Sequence, residues 1–295
     1  GCGVGGMREE VEAIGAPPHA ERGAVGDEYI MAFKELWTSD NPSFDGKYAS
    51  FSDVSFLPKP IQKPHPPIWV ASLQTATYQL AAEKGIGVMA LGVNAPSVLE
   101  PSIKAYREAI KNANPVGGAI NNKWLSSCFG LCGEDDMATK ELAAQSLKTF
   151  FGPGRPYVQD QKDVYANLLD QWGGIPDHLA QNFSRYIAVE AQPGGTNGGS
   201  SNALDLSGGS ALAQKIWEEF DAETMANRAI IVAGDPASCI EAIKVHEATG
   251  VDQIQFLMAT ETVGHKEVMK SIEMFGKHVI PAFRKEGQSV TPVDV

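Results

Sequence analysis

Positive charge is what this 295-residue sequence has least of: 24 Lys and Arg stand against 36 Asp and Glu, for a net charge of −12. A nucleic-acid binder needs a basic face to replace the counterions on phosphates, and no cluster of Lys or Arg supplies one. The same surplus of acid disfavours an anionic membrane surface. Long apolar runs are missing too, so no stretch reads as a bilayer span or a signal peptide. Cysteine is sparse. Cys128 and Cys132 share one face of an expected strand, but no further Cys/His pair at ligand spacing completes a metal site, and no metal is expected. With Cys2 and Cys239 they read as thiols of a protein in a reducing cytoplasm. No internal repeat is evident.

What is present is ordinary for a globular chain: 43% hydrophobic residues, with 30 Gly and 18 Pro. Gly1–Gly6 reads GCGVGG, a cluster that normally follows a strand and lets the chain turn sharply, so the strand leading into it is expected before residue 1. The pattern then predicts helices over Arg8–Ile14 and Glu21–Trp37 and a hairpin or ordered excursion within Thr38–Lys63. Prolines 58, 60, 64, 66 and 67 impose an extended approach to a strand at Ile68–Ala71. Further strands are expected at Ile86–Leu91, Leu125–Cys132, Ala229–Ala233 and Gln253–Met258. The last of these shows no alternation, as for a strand covered on both faces. Helices follow at Ala76–Lys84, Ser97–Lys111, Asp136–Phe151 and Lys266–Lys285, and another is opened by the Asp235 cap with Pro236 and closed by Gly250. Strand, short loop and helix in alternation imply a parallel sheet with helices outside, in one domain spanning 1–295. Gly152–Gly209 interrupts the rhythm with a helical Val158–Trp172 and a Gly/Ser/Asn-rich tail, and reads as an insertion at about 152–209.

Several stretches, in order, carry a family likeness: GCGVGGMREEVEAIG, GDEYIMAFKELWTS, FDGKYASF, LPKPIQKPHPPIWVAS, AGDPASCIEAI, GVDQIQFLM and HKEVMKSIEMFGKHVIPAF. Together they resemble the bacterial luciferase-like, flavin-dependent monooxygenases. The resemblance implies a (β/α)₈ TIM barrel. It aligns GCGVGG with the loop after the fourth strand, so the first three strands, most of the fourth and their catalytic histidines are expected before residue 1. It names no catalytic residue in the chain itself.

Candidate residues gather at the turn after IWVA, because barrel ligands collect at strand C-termini and a helix N-terminus suits a phosphate. As simple caps, Gln74, Thr75 and Thr77 would need no ligand. The resemblance makes them phosphate ligands of a flavin, with Ala71 and Ser72 along its ring or ribityl chain and Gly3, Gly5 and Gly6 allowing close backbone approach. Val4 stands where luciferase has an Arg, which removes a charge-assisted contact. As a dinucleotide motif GCGVGG has the wrong glycine spacing. Arg155, Tyr157, Trp172 and His178 of the insertion are expected either in a lid that keeps water from the flavin or in a packed surface excursion. His246 and His278 are expected on outer helices, His65 and His19 in loops, His265 as a helix cap and Glu261 in a solvated loop.

The function implied by the resemblance is oxygenation of a small apolar substrate by dioxygen and reduced FMN. A separate flavin reductase would supply the FMN to an enzyme that is commonly a homodimer. A deazaflavin-dependent hydride transferase of the same family and a non-catalytic flavin-binding barrel are the alternatives. An aldolase is disfavoured, since no Lys falls at a strand end.

Overall fold

The computed structural model describes residues 1–3, 5, 8–72, 75–90, 94–152, 164–181 and 210–284. The chain forms two compact units. Gly1–Leu91, Pro101–Ser126 and Val251–Gln253 make the first, while Gly92–Glu100, Ser127–Gly250 and Ile254–Val295 make the second.

In the first unit α1 (Arg8–Ala13) and α2 (Arg22–Thr38) precede a small antiparallel hairpin, β1 (Phe44–Asp45) with β2 (Ser50–Phe51). Glu28 of α2 holds that hairpin: its carboxylate accepts the backbone N–H groups of Lys47, Tyr48 and Ala49. Glu21 adds the Lys47 ammonium and the Tyr48 hydroxyl. The hydrogen bonds keep both carboxyls below their usual range, although burial at Glu28 pulls the other way. Beyond the prolines come β3 (Trp69–Ser72), α3 (Thr75–Glu83) and β4 (Gly87–Ala90). Gly85 supplies the positive φ of 68° that lets the chain leave α3 and enter β4 within three residues.

β3 and β4 pair in parallel, Val70 opposite Val88, and β4 pairs in parallel with the start of β5 (Trp124–Cys132), Val88 opposite Trp124. On one face Trp124 is fully buried against Tyr78 of α3 and Tyr106 of α4 (Pro96–Ala109), with ring centroids 4.8 and 5.4 Å away. The Tyr106 hydroxyl lies 2.9 and 3.0 Å from the carbonyls of Ile86 and Asn121, and burial pushes its pKa up to about 12. Asp252 closes this region. Its carboxylate accepts the Trp124 N–H at 2.7 Å and pairs with Arg107 and Lys123.

In the second unit the rest of β5 pairs in parallel with β6 (Ile231–Gly234), Cys132 opposite Gly234, and β7 (Gln253–Leu257) pairs with β5. Helices α5 (Asp136–Phe150), α6 (Val164–Gln171), α7 (Ser210–Glu219), α8 (Ala222–Asn227), α9 (Pro236–Ala248) and α10 (His265–Met274) surround them in sequence. Asp135, Asp221 and Asp235 cap α5, α8 and α9, each accepting the N–H three residues on.

Three expectations are corrected. β7 does alternate: Gln253 and Gln255 are exposed while Ile254 and Phe256 are half-buried, so one face meets solvent. The last helix is not continuous. It widens to a π-turn at Phe275–Val279 and ends as a 3₁₀ turn at Ile280–Phe283, where Pro281 has no N–H to donate. His265 is the first helical residue and not the cap, a place taken by Gly264 without a side-chain bond.

Candidate functional site

Among the described residues, the C-terminal end of β3 is where the first unit leaves a strand face partly open. Side chains alternate along parallel strands. Val70, Val88 and Trp124 lie opposite one another on the helix-covered face. Trp69, Ala71, Met89 and Leu125 therefore share the other face, where Ala71 is exposed and the other three are half-buried. Cys2 bridges to Val70 in parallel, donating its N–H to Trp69 O at 2.6 Å. Gly1 and Gly3 thus flank the same open face. A Cβ on Gly1 would come 3.1 Å from the Met89 methyl, whereas one on Gly3 would meet nothing within 4 Å. Among the described residues the result is an apolar shelf edged by glycine backbone.

Only two residues separate β3 from α3, so the helix N-terminus, with its unpaired N–H groups and positive dipole end, sits just past the shelf. The Tyr78 hydroxyl donates to Ser72 O at 3.1 Å and fixes the helix against the strand end. Thr77 is half-buried in the first turn. Of the expected phosphate ligands, Gln74 and the side chain of Thr75 lie outside the described residues, as do Val4 and Gly6. Gly3, Ala71, Ser72 and Thr77 are thus brought to one region of one unit. Met89, Leu125 and Trp69 join them there. Their strands are legible in the sequence, but their shared face follows from strand register, which no sequence motif marks.

The expected lid residues belong to the second unit. Arg155 and Tyr157 lie outside the described residues. Trp172 is fully buried, its ring 6.1 Å from Trp217 and 4.9 Å from Phe220, while Arg228 donates to its carbonyl at 2.8 Å. His178 is largely exposed, its Nε2 3.2 Å from Asp221. Asp221 also helps line a cavity of about 600 Å³ with Lys148, Trp217 and Phe220, and burial there lowers the pKa of the Lys148 ammonium.

The remaining histidines fill other roles. His65 is buried with both ring nitrogens 2.8 Å from carbonyls, those of Pro66 and Gly117. His246 is 2% exposed and its Nε2 lies 2.9 Å from Ala229 O. His278 and His265 are exposed, as is Glu261, and His19 is half-buried. Among the described residues no group of three His, Cys, Asp or Glu could hold a metal ion, and no helix is long and apolar enough to cross a membrane.

The family model described as luciferase-like monooxygenase matches residues 1–253. An FMNH(2)-dependent dimethylsulfone monooxygenase of Pseudomonas putida is 23% identical over 95% of the chain, which spans 64% of that relative's length. A coenzyme F420-dependent tetrahydromethanopterin reductase from Methanopyrus kandleri superposes with a TM-score of 0.59 at 17% identity, covering 96% of the chain and 73% of its own. The oxygenating constituent of 3,6-diketocamphane monooxygenase from Pseudomonas putida, solved in complex with FMN, gives 0.55 at 16%, covering 95% and 70%. These likenesses show the fold, that of the luciferase-like barrel enzymes.

Proposed function

The chain belongs to the luciferase-like monooxygenase family, and on that premise we propose that the protein binds reduced FMN at the end of β3 and oxygenates a small apolar substrate with dioxygen. The observation that carries this reading is the pairing of a partly open apolar shelf with a helix N-terminus immediately beyond it. A planar ring needs the first and its phosphate the second. When bound, the flavin supplies the electrons and the reaction with dioxygen.

The chain's own residues do the rest. Gly3 and Ala71 bring small surfaces to the ring, while Met89, Leu125 and Trp69 offer it apolar contact and exclude water. Ser72 lies along the ribityl chain. The α3 amides, Gln74, Thr75 and Thr77 hold the phosphate by hydrogen bonds and the dipole. Without an Arg at position 4 the grip is modest, as suits a cofactor exchanged with a separate reductase. Residues 1–295 are read as the C-terminal two-thirds of a single barrel domain of a homodimeric enzyme, with 152–209 as its insertion. Arg155, Tyr157, Trp172 and His178 of that insertion are assigned to a lid that keeps water from the flavin.

Titration of the protein with FMN tests the site. Changing Gln74, Thr75 and Thr77 together to Glu is expected to weaken FMN at least tenfold, about 1.4 kcal/mol, with circular dichroism unaltered. Undiminished affinity would remove the phosphate assignment. A spectral response to a deazaflavin with none to FMN would instead indicate hydride transfer. Tight flavin binding without oxygen uptake, given a reductase and an apolar substrate panel, would leave a flavin-binding protein without catalysis.

A further inference from the structure

Three of the four cysteines, Cys128, Cys132 and Cys239, lie in one buried cluster of the second unit with Ala229, Val232, Ala242, Phe275 and Val279. Cys132 is the last residue of β5, and Cys239 lies in the first turn of α9, five residues beyond Gly234, the register partner of Cys132. The Cys239 Sγ lies 3.6 Å from Leu131 O and 3.8 Å from Gly234 O, which sets its side chain over the end of β5. There it shares one buried cluster with Cys132, the residue that follows Leu131. Both side chains are almost wholly enclosed, at 3% and 0% exposure. Nothing in the flavin reading uses them.

We propose that Cys132 and Cys239 form an oxidisable dithiol, a site that hydrogen peroxide converts to a disulfide clamping β5 to the first turn of α9. The step balances. The Cys132 sulfur attacks one peroxide oxygen, forming an S–O bond and breaking O–O, and the first water leaves with the Cys132 proton. The Cys239 sulfur then attacks the Cys132 sulfur, forming S–S and breaking S–O, and the second water leaves with the Cys239 proton. Two thiols are oxidised by two electrons, and one peroxide is reduced to two waters. Cys132 keeps 3% of its surface exposed and Cys239 none, so Cys132 is assigned as the attacking sulfur and Cys239 as the resolving one. Cys128 lies on the same strand four residues earlier, and burial alone drives its pKa far upward, which disfavours the thiolate. The inference does not rest on flavin binding.

The test treats the folded protein with a molar excess of hydrogen peroxide, removes the excess with catalase, and alkylates in acidic denaturant before peptide mass spectrometry. The expected result is a cross-linked pair of peptides carrying Cys132 and Cys239, lighter by two hydrogens. Cys128 should remain alkylated, and reduction should restore both peptides. In Cys239→Ser, Cys132 should instead be trapped by dimedone as its sulfenic acid. Should that variant fail to fold, the wild-type map decides alone. Full alkylation of Cys132 and Cys239 under conditions that oxidise the half-exposed Cys2 would overturn the proposal. So would separate sulfinic acids on the two, or a bridge from Cys132 to Cys128.

Discussion

His246 shows how much one buried side chain sets the protein's response to pH. It hangs from α9 with Nε2 against the Ala229 carbonyl, while its Nδ1 has no partner, so protonation would strand a charge in the core. Burial therefore lowers its pKa to about 4, a pull that outweighs the Ala229 contact. In the unfolded chain the same ring titrates near 6.5. The unfolded state thus binds the extra proton between these values, and stability falls as pH drops from about 6.5 towards 4, then levels off. The loss amounts to roughly 3 kcal/mol at its limit. Urea midpoints measured from pH 7.5 to pH 4 should fall along this curve, and His246→Gln should flatten it over that window. A slope unchanged by the substitution would assign the acid sensitivity elsewhere. The sequence placed this histidine on an outer helix, which is correct, but a residue on the inward face of such a helix is core. Helix position was legible and helix phase was not.

At the scale of elements, what was legible is what local chemistry encodes. Asp235 with Pro236 marks the start of α9, and Gly85 marks the end of α3, because a cap or a positive φ depends only on neighbours. Register, by contrast, depends on distant partners. It alone places Met89 beside Ala71 and Cys132 beside Gly234. The β7 alternation stands in Gln253, Ile254, Gln255 and Phe256 and was missed because Phe256, Leu257 and Met258 read as a continuous apolar run. The hairpin is a third case. FDGKYASF reads as a turn, but its anchor, Glu28, is about twenty residues upstream on α2. Since one carboxylate satisfies three backbone donors, Glu28→Ala should release β1 and β2 while leaving the sheet intact. Hydrogen exchange should quicken at Lys47, Tyr48 and Ala49 by at least tenfold, about 1.4 kcal/mol of opening energy, with amides of β3 and β4 unaffected. Unchanged protection at those three amides would mean the strands hold themselves.

For the molecule as a whole, the fold was readable because strand, loop and helix alternate through the sequence, whereas the division into two compact units is invisible in composition. The unit with the shelf contains every described residue assigned to the cofactor, so ligand binding there should register as a gain in global stability. A ligand that binds only the folded state raises stability by about 2.7 kcal/mol at a hundredfold excess over its dissociation constant. FMN and riboflavin differ only by the phosphate, and the α3 N-terminus is assigned to that group alone. At equal concentrations FMN should therefore raise the unfolding temperature distinctly more than riboflavin. The difference should vanish when Gln74, Thr75 and Thr77 are changed to Glu, while the small riboflavin effect survives because the shelf of Gly3, Ala71, Met89 and Leu125 is untouched. Equal shifts for the two flavins in the unaltered protein would show that the ring alone is held. The helix end would then be a cap and nothing more.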